Sequence, residues 1–219
     1  MPTPPPLSMN SPSTAFKFVA GDSSLDFINT VDWTEHGLRD ERLTDYDALV
    51  TWSERAGVIP SDVASQLTAH NFSTQERATA VAAAWGLRRN LQQLFSRMAE
   101  RQPPDENLLR TLNSHVGDAL SRVELTTRGS ASQGSALQWN WRGMGSEPTC
   151  MLWPVLWSAT ELVACEDVER LRICAGVSCG WMYLDRSRNG LRRWCEMSTC
   201  GARAKARRHY ERTRGGAAL

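Results

Sequence analysis

Long apolar runs are missing from this 219-residue chain. The longest fall far short of the roughly 18 residues that a membrane span requires, so no transmembrane helix is expected. The opening MPTPPPLSMNSPST lacks the basic and apolar regions of a secretory leader, and its prolines and serines read as a disordered tail over 1–14. A cytoplasmic location follows by default. A phosphate-binding glycine loop, a nucleophile elbow and an H-E-x-x-H pair are also absent. Histidine is scarce, and His36, His70, His115 and His209 show no metal-ligand spacing; His115 reads as a core or boundary residue beside Leu112. These absences give no footing to an enzyme.

Charge is placed unevenly. The net charge of +1 conceals 11 Lys/Arg against 3 Asp/Glu in residues 172–219, and 14 against 21 in residues 1–171. Such a split points to two modules, the second suited to a polyanion.

Of six cysteines, Cys174 with Cys179 and Cys195 with Cys200 form two C-x4-C pairs fifteen residues apart. In a cytosolic chain, matched pairs at this spacing favour zinc over disulfides. Four thiolates at about 2.3 Å fill a tetrahedron and leave no position for water or substrate, so one structural Zn2+ per chain is expected. A module of about 45 residues has too little core to fold alone, and a metal supplies the deficit. An iron–sulfur cluster, the other soft-ligand option, ranks below zinc in so basic a setting. Cys150 and Cys165 lack partners and are read as small core hydrophobes.

The predicted fold is α+β: a mainly helical domain over 15–168 with a small β-hairpin, then a treble-clef- or ribbon-like zinc finger over 169–214 ending in a basic helix, and a tail over 215–219. A strand or turn near 16–20 precedes a short helix through SLDFINTV, and TDYDALVTWSERAG and PSDVASQLTAH make two more helices. The longest helix opens on a Ser73/Glu76 capping box, repeats Ala84, Leu87, Leu91, Leu94, Phe95 and Met98 on one face, and stops at Pro103 and Pro104. DENLLRTLNSHVGDAL is another amphipathic helix. RVELTTRG and ALQWNWRG alternate as hairpin strands, and CMLWPVLWSATELVAC returns to helix. Trp85, Trp153 and Trp157 fall at helical core positions. In the finger, RLRIC and WMYLD are the strands, and Ser198 or Thr199 caps the last helix beside Cys200.

On a helical wheel from Cys200, Ala202, Ala206, His209 and Thr213 share a face able to pack on the metal knuckle. Arg203 and Arg207 form one exposed stripe, and Lys205, Arg208 and Arg212 another. Like charges one turn apart repel, and phosphate relieves that cost. Arginine outnumbers lysine ten to one after residue 171, which favours bidentate contact with phosphate or guanine edges. Arg192 and Arg193 extend the same surface.

These residues resemble the CGNR zinc finger found at the C-terminus of bacterial proteins described as stress-induced transcription regulators. Cys200-Gly201-Ala202-Arg203 matches the family's Cys-Gly-Asn-Arg motif except at Ala202, and RRWC at 192–195 is similar too. SLDFINT at 24–30 and LRRNL at 87–91 resemble the family's N-terminal domain, called ABATE. The resemblance implies DNA binding and transcription regulation, with an N-terminal domain that senses an effector; a small-molecule effector and a homodimer are the partners considered for that domain. Asn29 and Arg88 could line a pocket for a small anion, or instead form a buried polar network. Two other functions stay open. Trp181, Tyr183 and Trp194 offer stacking surfaces for RNA, and the N-terminal domain could be an enzyme carrying an accessory finger.

Overall fold

The computed structural model describes residues 16–34, 37–128 and 136–215; the tails expected over 1–14 and 215–219 lie outside these, save position 215. Helix α1 (Ser23–Ile28) is capped by Asp22, whose carboxylate accepts from Ser24 N, and it buries Leu25, Phe27 and Ile28. Strands β1 (Asp32–Thr34) and β2 (Gly37–Arg39) form a short antiparallel ribbon. Helix α2 (Tyr46–Arg55) starts from Asp45, which accepts from Ala48 N, and Gly57 turns the chain beyond it with φ +71°. Helix α3 is Ser61–Ala69. Helix α4 (Thr74–Ala99) carries the Ser73/Glu76 capping box and buries Ala84, Leu87, Leu91, Leu94 and Phe95.

Pro103 and Pro104 do not end α4. Arg101 takes a left-handed φ of 57°, and the amides of Arg101 and Gln102 close on Met98 O and Arg97 O. That turn satisfies the last carbonyls before the prolines are reached. Helix α5 (Glu106–Leu120) buries Leu108, Leu112 and Ala119, while His115 is exposed and not at the core boundary.

Strands β3 (Val123–Arg128) and β4 (Ala136–Trp141) pair with Leu125 opposite Trp139 and Val123 opposite Trp141. Helix α6 (Leu152–Ala164) lies beneath, with Trp153 and Trp157 against the Trp141 ring, each at 6.2 Å between centroids. Trp85 departs from its expected core position. It is 40% exposed, with its indole N–H donating to Leu43 O. Cys150 is buried, but Cys165 is exposed; its sulfur accepts Asp167 N at the start of a 3-10 turn over Glu166–Arg170.

The C-terminal part comprises β5 (Leu171–Ile173) paired with β6 (Met182–Leu184), a π-helical turn over Met197–Gly201, and α7 (Ala202–Gly215). Its strands belong to the same hydrophobic core as α1 and α4: Leu171, Trp181, Met182, Tyr183 and Leu184 are all buried there. Asn29 clasps the β6 backbone, donating from Nδ2 to Met182 O at 2.8 Å and accepting from Met182 N at 2.9 Å. Leu184 N donates to Ala20 O at 2.8 Å.

The 19–20 backbone is held from its other side by Asp26, whose carboxylate accepts from Val19 N and Ala20 N at 3.0 Å each. Burial pushes this carboxyl up to about 6, against the pull of the two amides, and Asp22 adds a like charge. An acid harder to ionise when folded favours the fold fully below its unfolded value of about 4, and that contribution is lost as pH rises through 6. Wild-type stability is therefore expected to fall by about 2–3 kcal/mol relative to Asp26→Asn between about pH 4 and pH 7. Urea unfolding of both proteins at the two pH values checks this. The asparagine keeps the acceptor oxygen, so a constant difference between them would refute the account.

Candidate metal centre and basic helix

Strand β5 runs directly into Cys174, whose amide donates to Trp181 O at 2.8 Å and closes the first knuckle. Within it Cys179 N returns to Gly176 O, and Ser178 and Gly180 take left-handed φ values of 58° and 65°. Two glycines are required here by space. A Cβ on Gly176 would stand 2.9 Å from the Cys200 sulfur, and one on Gly180 would stand 2.1 Å from Trp33 O. The second knuckle is tied to the first by Ala175 N donating to Arg193 O at 2.9 Å. It presents Cys195, and the π turn delivers Cys200.

The sulfurs of Cys174, Cys179, Cys195 and Cys200 all lie within 4.8 Å of one another. Cys179–Cys195 and Cys195–Cys200 are each 3.7 Å apart. A tetrahedron with arms of about 2.3 Å has edges of about 3.8 Å, so the four fit a zinc ion. Amides of Cys195 and Gly176 donate to the Cys174 sulfur at 3.3 and 3.4 Å, the support a thiolate ligand needs. Donation from the Cys179 and Cys195 thiols holds Cys174 far below the ordinary thiol range, and the same contact pushes Cys179 and Cys195 up. A divalent ion at the centre would take the place of those protons and hold all four as thiolates.

Cys200 sets the phase of α7. Its sulfur must point inward, so Ala204, one turn on, is buried, while Ala202, Ala206, His209 and Thr213 are exposed. The expected packing of those four against the knuckle is corrected: the ligand Cys200 decides which face turns inward. Ser198 and Thr199 do not cap the helix. The turn opens at Glu196 without a side-chain cap, and Thr199 Oγ1 donates to the Glu196 carboxylate, which also pairs with Lys17.

Arg203, Lys205, Arg207, Arg208 and Arg212 are all exposed. Lys205, Arg208 and Arg212 line one shallow groove with Glu211, and Arg207 reaches Glu211 only at 3.9 Å. Arg193 is exposed with its guanidinium 5.4 Å from the centre of the Trp194 ring.

Residues 170–213 match the CGNR zinc finger family, and residues 21–166 match the ABATE family, described as "Putative stress-induced transcription regulator". The chain belongs to the ABATE family and ends in a CGNR zinc finger. No curated protein matches the sequence. In this ABATE chain the motif asparagine is replaced by Ala202, on the exposed side of α7 and not against the knuckle.

Several expected site residues have other tasks. Arg192 turns inward, donating to Trp194 O and Val19 O at 2.9 and 3.1 Å and to Cys195 O, with its guanidinium 4.2 Å from the Tyr183 ring. It braces the second knuckle and leaves the set of groups free for phosphate. Trp181 and Tyr183 are buried: the indole donates to Val31 O and Asp32, and the phenol to Arg192 O at 2.6 Å. Neither can stack on a nucleobase, which leaves Trp194 alone of the three.

Of the two readings of Asn29 and Arg88, the structure shows the buried polar network and not the anion pocket. Asn29 is committed to Met182, and Arg88, 2% exposed, donates to Thr30 Oγ1 at 2.7 Å and to both oxygens of Glu41. A cation already neutralised in this way offers nothing to a ligand. Glu41, Trp33 and Asp185 escaped sequence reading. For Asp185 a signal existed, since Asp-x-Ser marks a turn in which the carboxylate accepts from the backbone two residues on.

Proposed function

We propose that this ABATE protein is a cytoplasmic DNA-binding transcription regulator whose finger holds one zinc ion per chain and lays α7 along duplex DNA. The observation that carries this is the exposure of Arg203, Lys205, Arg207, Arg208 and Arg212 on a helix anchored by a metal ligand, with Glu211 the one acid among residues 202–215. A rigidly based cationic rod meets phosphate without ordering costs at its root, and its length suits a major groove. Burial of Trp181 and Tyr183 supports duplex over single-stranded nucleic acid. A closed four-sulfur shell shapes and does not catalyse, so we read the chain as a regulator and not an enzyme. Among the described residues no helix is long and apolar enough to cross a membrane.

Neutralising about five phosphates gives a slope of log affinity against log salt of about −4 to −5. Replacing Arg203, Arg207 and Arg208 together by alanine is expected to bring that slope to about −2 and to weaken binding at least tenfold. Fluorescence anisotropy on a labelled duplex across a salt series reads both. Binding indifferent to salt, or unchanged in the triple variant, would overturn the assignment.

A further inference from the structure

The segment between β6 and the second knuckle combines two properties that elsewhere exclude each other. Asp185 accepts from Ser187 N at 3.0 Å and Ser187 Oγ at 2.5 Å near its start, and from Arg192 N at 2.9 Å at its end. Gly190, at φ +61°, supplies the left-handed residue the loop needs. One carboxylate therefore fixes both ends of a tight loop. From it project Arg186 and Arg188, both exposed, with exposed Arg193 just beyond. Immediately before the closing Arg192, Leu191 is 75% exposed, more than any other large apolar side chain among the described residues. Beside it opens a cleft of about 550 Å³ whose walls include Leu191, Arg193, Trp194 and Met197, which joins the loop to the root of α7.

Leu191 stands in water beside the exposed Met197 and the half-buried Trp194, an apolar patch with no cover. The exposed Arg188 and Arg193 on either side of Leu191 give the patch a positive rim, which matches a polyanion. A polyanion with an apolar interior suits both features, because phosphates accept the guanidiniums while stacked bases receive the aliphatic tip. We propose that Leu191 is a wedge that enters a base step of duplex DNA and kinks it, while Arg188 and Arg193 hold the flanking phosphates. This rests on the duplex-binding reading above and adds a deformation which that reading does not require.

The test uses the full zinc-loaded chain and a mixed-sequence duplex of about 30 base pairs with a central, easily unstacked TA step. Donor and acceptor dyes at the two ends report bending, and anisotropy on the same samples reports binding. The wild type is expected to bend the duplex by about 20–90°. Leu191→Ala should abolish the bend while retaining the salt slope and losing under tenfold in affinity. Leu191→Met, which keeps a long apolar tip, should restore the bend. A wild type that binds without shortening the end-to-end distance overturns the wedge, as does a bend unaltered in Leu191→Ala; in both cases duplex binding itself stands. No duplex binding in anisotropy overturns the parent reading, and the wedge with it.

Discussion

Replacing Cys195 by serine is expected to end zinc retention, release α7 from the body and lower duplex affinity at least a hundredfold. The effect is large because little besides the four-sulfur cluster fastens this helix to the body. Along α7 the buried residue is Ala204, while Arg203, Lys205, Ala206 and Arg207 around it are exposed. A helix of this length is marginal in water by itself, and structural zinc supplies on the order of 10 kcal/mol to sites of this kind. Strand β6 behaves differently. Met182, Tyr183 and Leu184 are buried in the shared core, and Asn29 holds the Met182 peptide from both sides. Hydrogen exchange should therefore show loss of protection confined to the two knuckles and α7, with α4 and β6 still protected. Chelation of the wild type should reproduce that pattern, and added zinc should reverse it only in the wild type. Retained protection in α7 after complete removal of metal would show that something other than the four sulfurs anchors the helix.

Local signals were the legible ones. The capping box at Ser73 and Glu76, the alternation of β3 and β4 and the two C-x4-C pairs each lie within a few residues, where spacing alone dictates geometry. The helical elements followed for the same reason. Illegible from sequence was what each functional residue faces across the fold. Asn29 meets Met182 and Trp33 N meets Cys179 O from positions more than a hundred residues apart, and no local pattern encodes those pairings. The phase of α7 failed for a subtler reason. The wheel puts Ala202, Ala206, His209 and Thr213 on one face, but the ligand at the root of the helix buries Ala204 and turns Ala202 outward. Arg192 was grouped with its neighbours by charge, yet the carbonyls of Val19, Trp194 and Cys195 converge on its guanidinium. Basic residues beside a knuckle divide into those that build it and those that face away from it, and composition does not separate them. The finger is also continuous with the helical core, where Gly180 packs on Trp33 and the Trp181 indole donates to Val31 O.

Removing the partly exposed carboxylate that neutralises the buried Arg88 should cost more than a typical surface change. Glu41→Ala is expected to destabilise the protein by about 3–5 kcal/mol, the range for a buried cation deprived of its partner. Arg88 is almost wholly buried, its Nε has no hydrogen-bond partner, and its remaining contacts are Thr30 and Glu41. Without the carboxylate, only a hydroxyl faces the guanidinium. For a chain of this size each kcal/mol moves the melting point by about 2–4 °C, so a fall of about 6–20 °C is expected. Thr30 also donates to Phe27 O at 2.7 Å at the end of α1, immediately beside Asn29, so the loosened segment is the one that clasps β6. The double variant Glu41→Leu with Arg88→Met separates charge from packing. It removes both ions while keeping apolar bulk, and should recover most of the loss, because a buried ion pair and a well-packed apolar pair are often close in stability. Thermal and urea unfolding of the single and double variants decide the matter. If Glu41→Ala melts within about 2 °C of the wild type, Arg88 is reached by water or another partner, and the network does not hold α1 to α4.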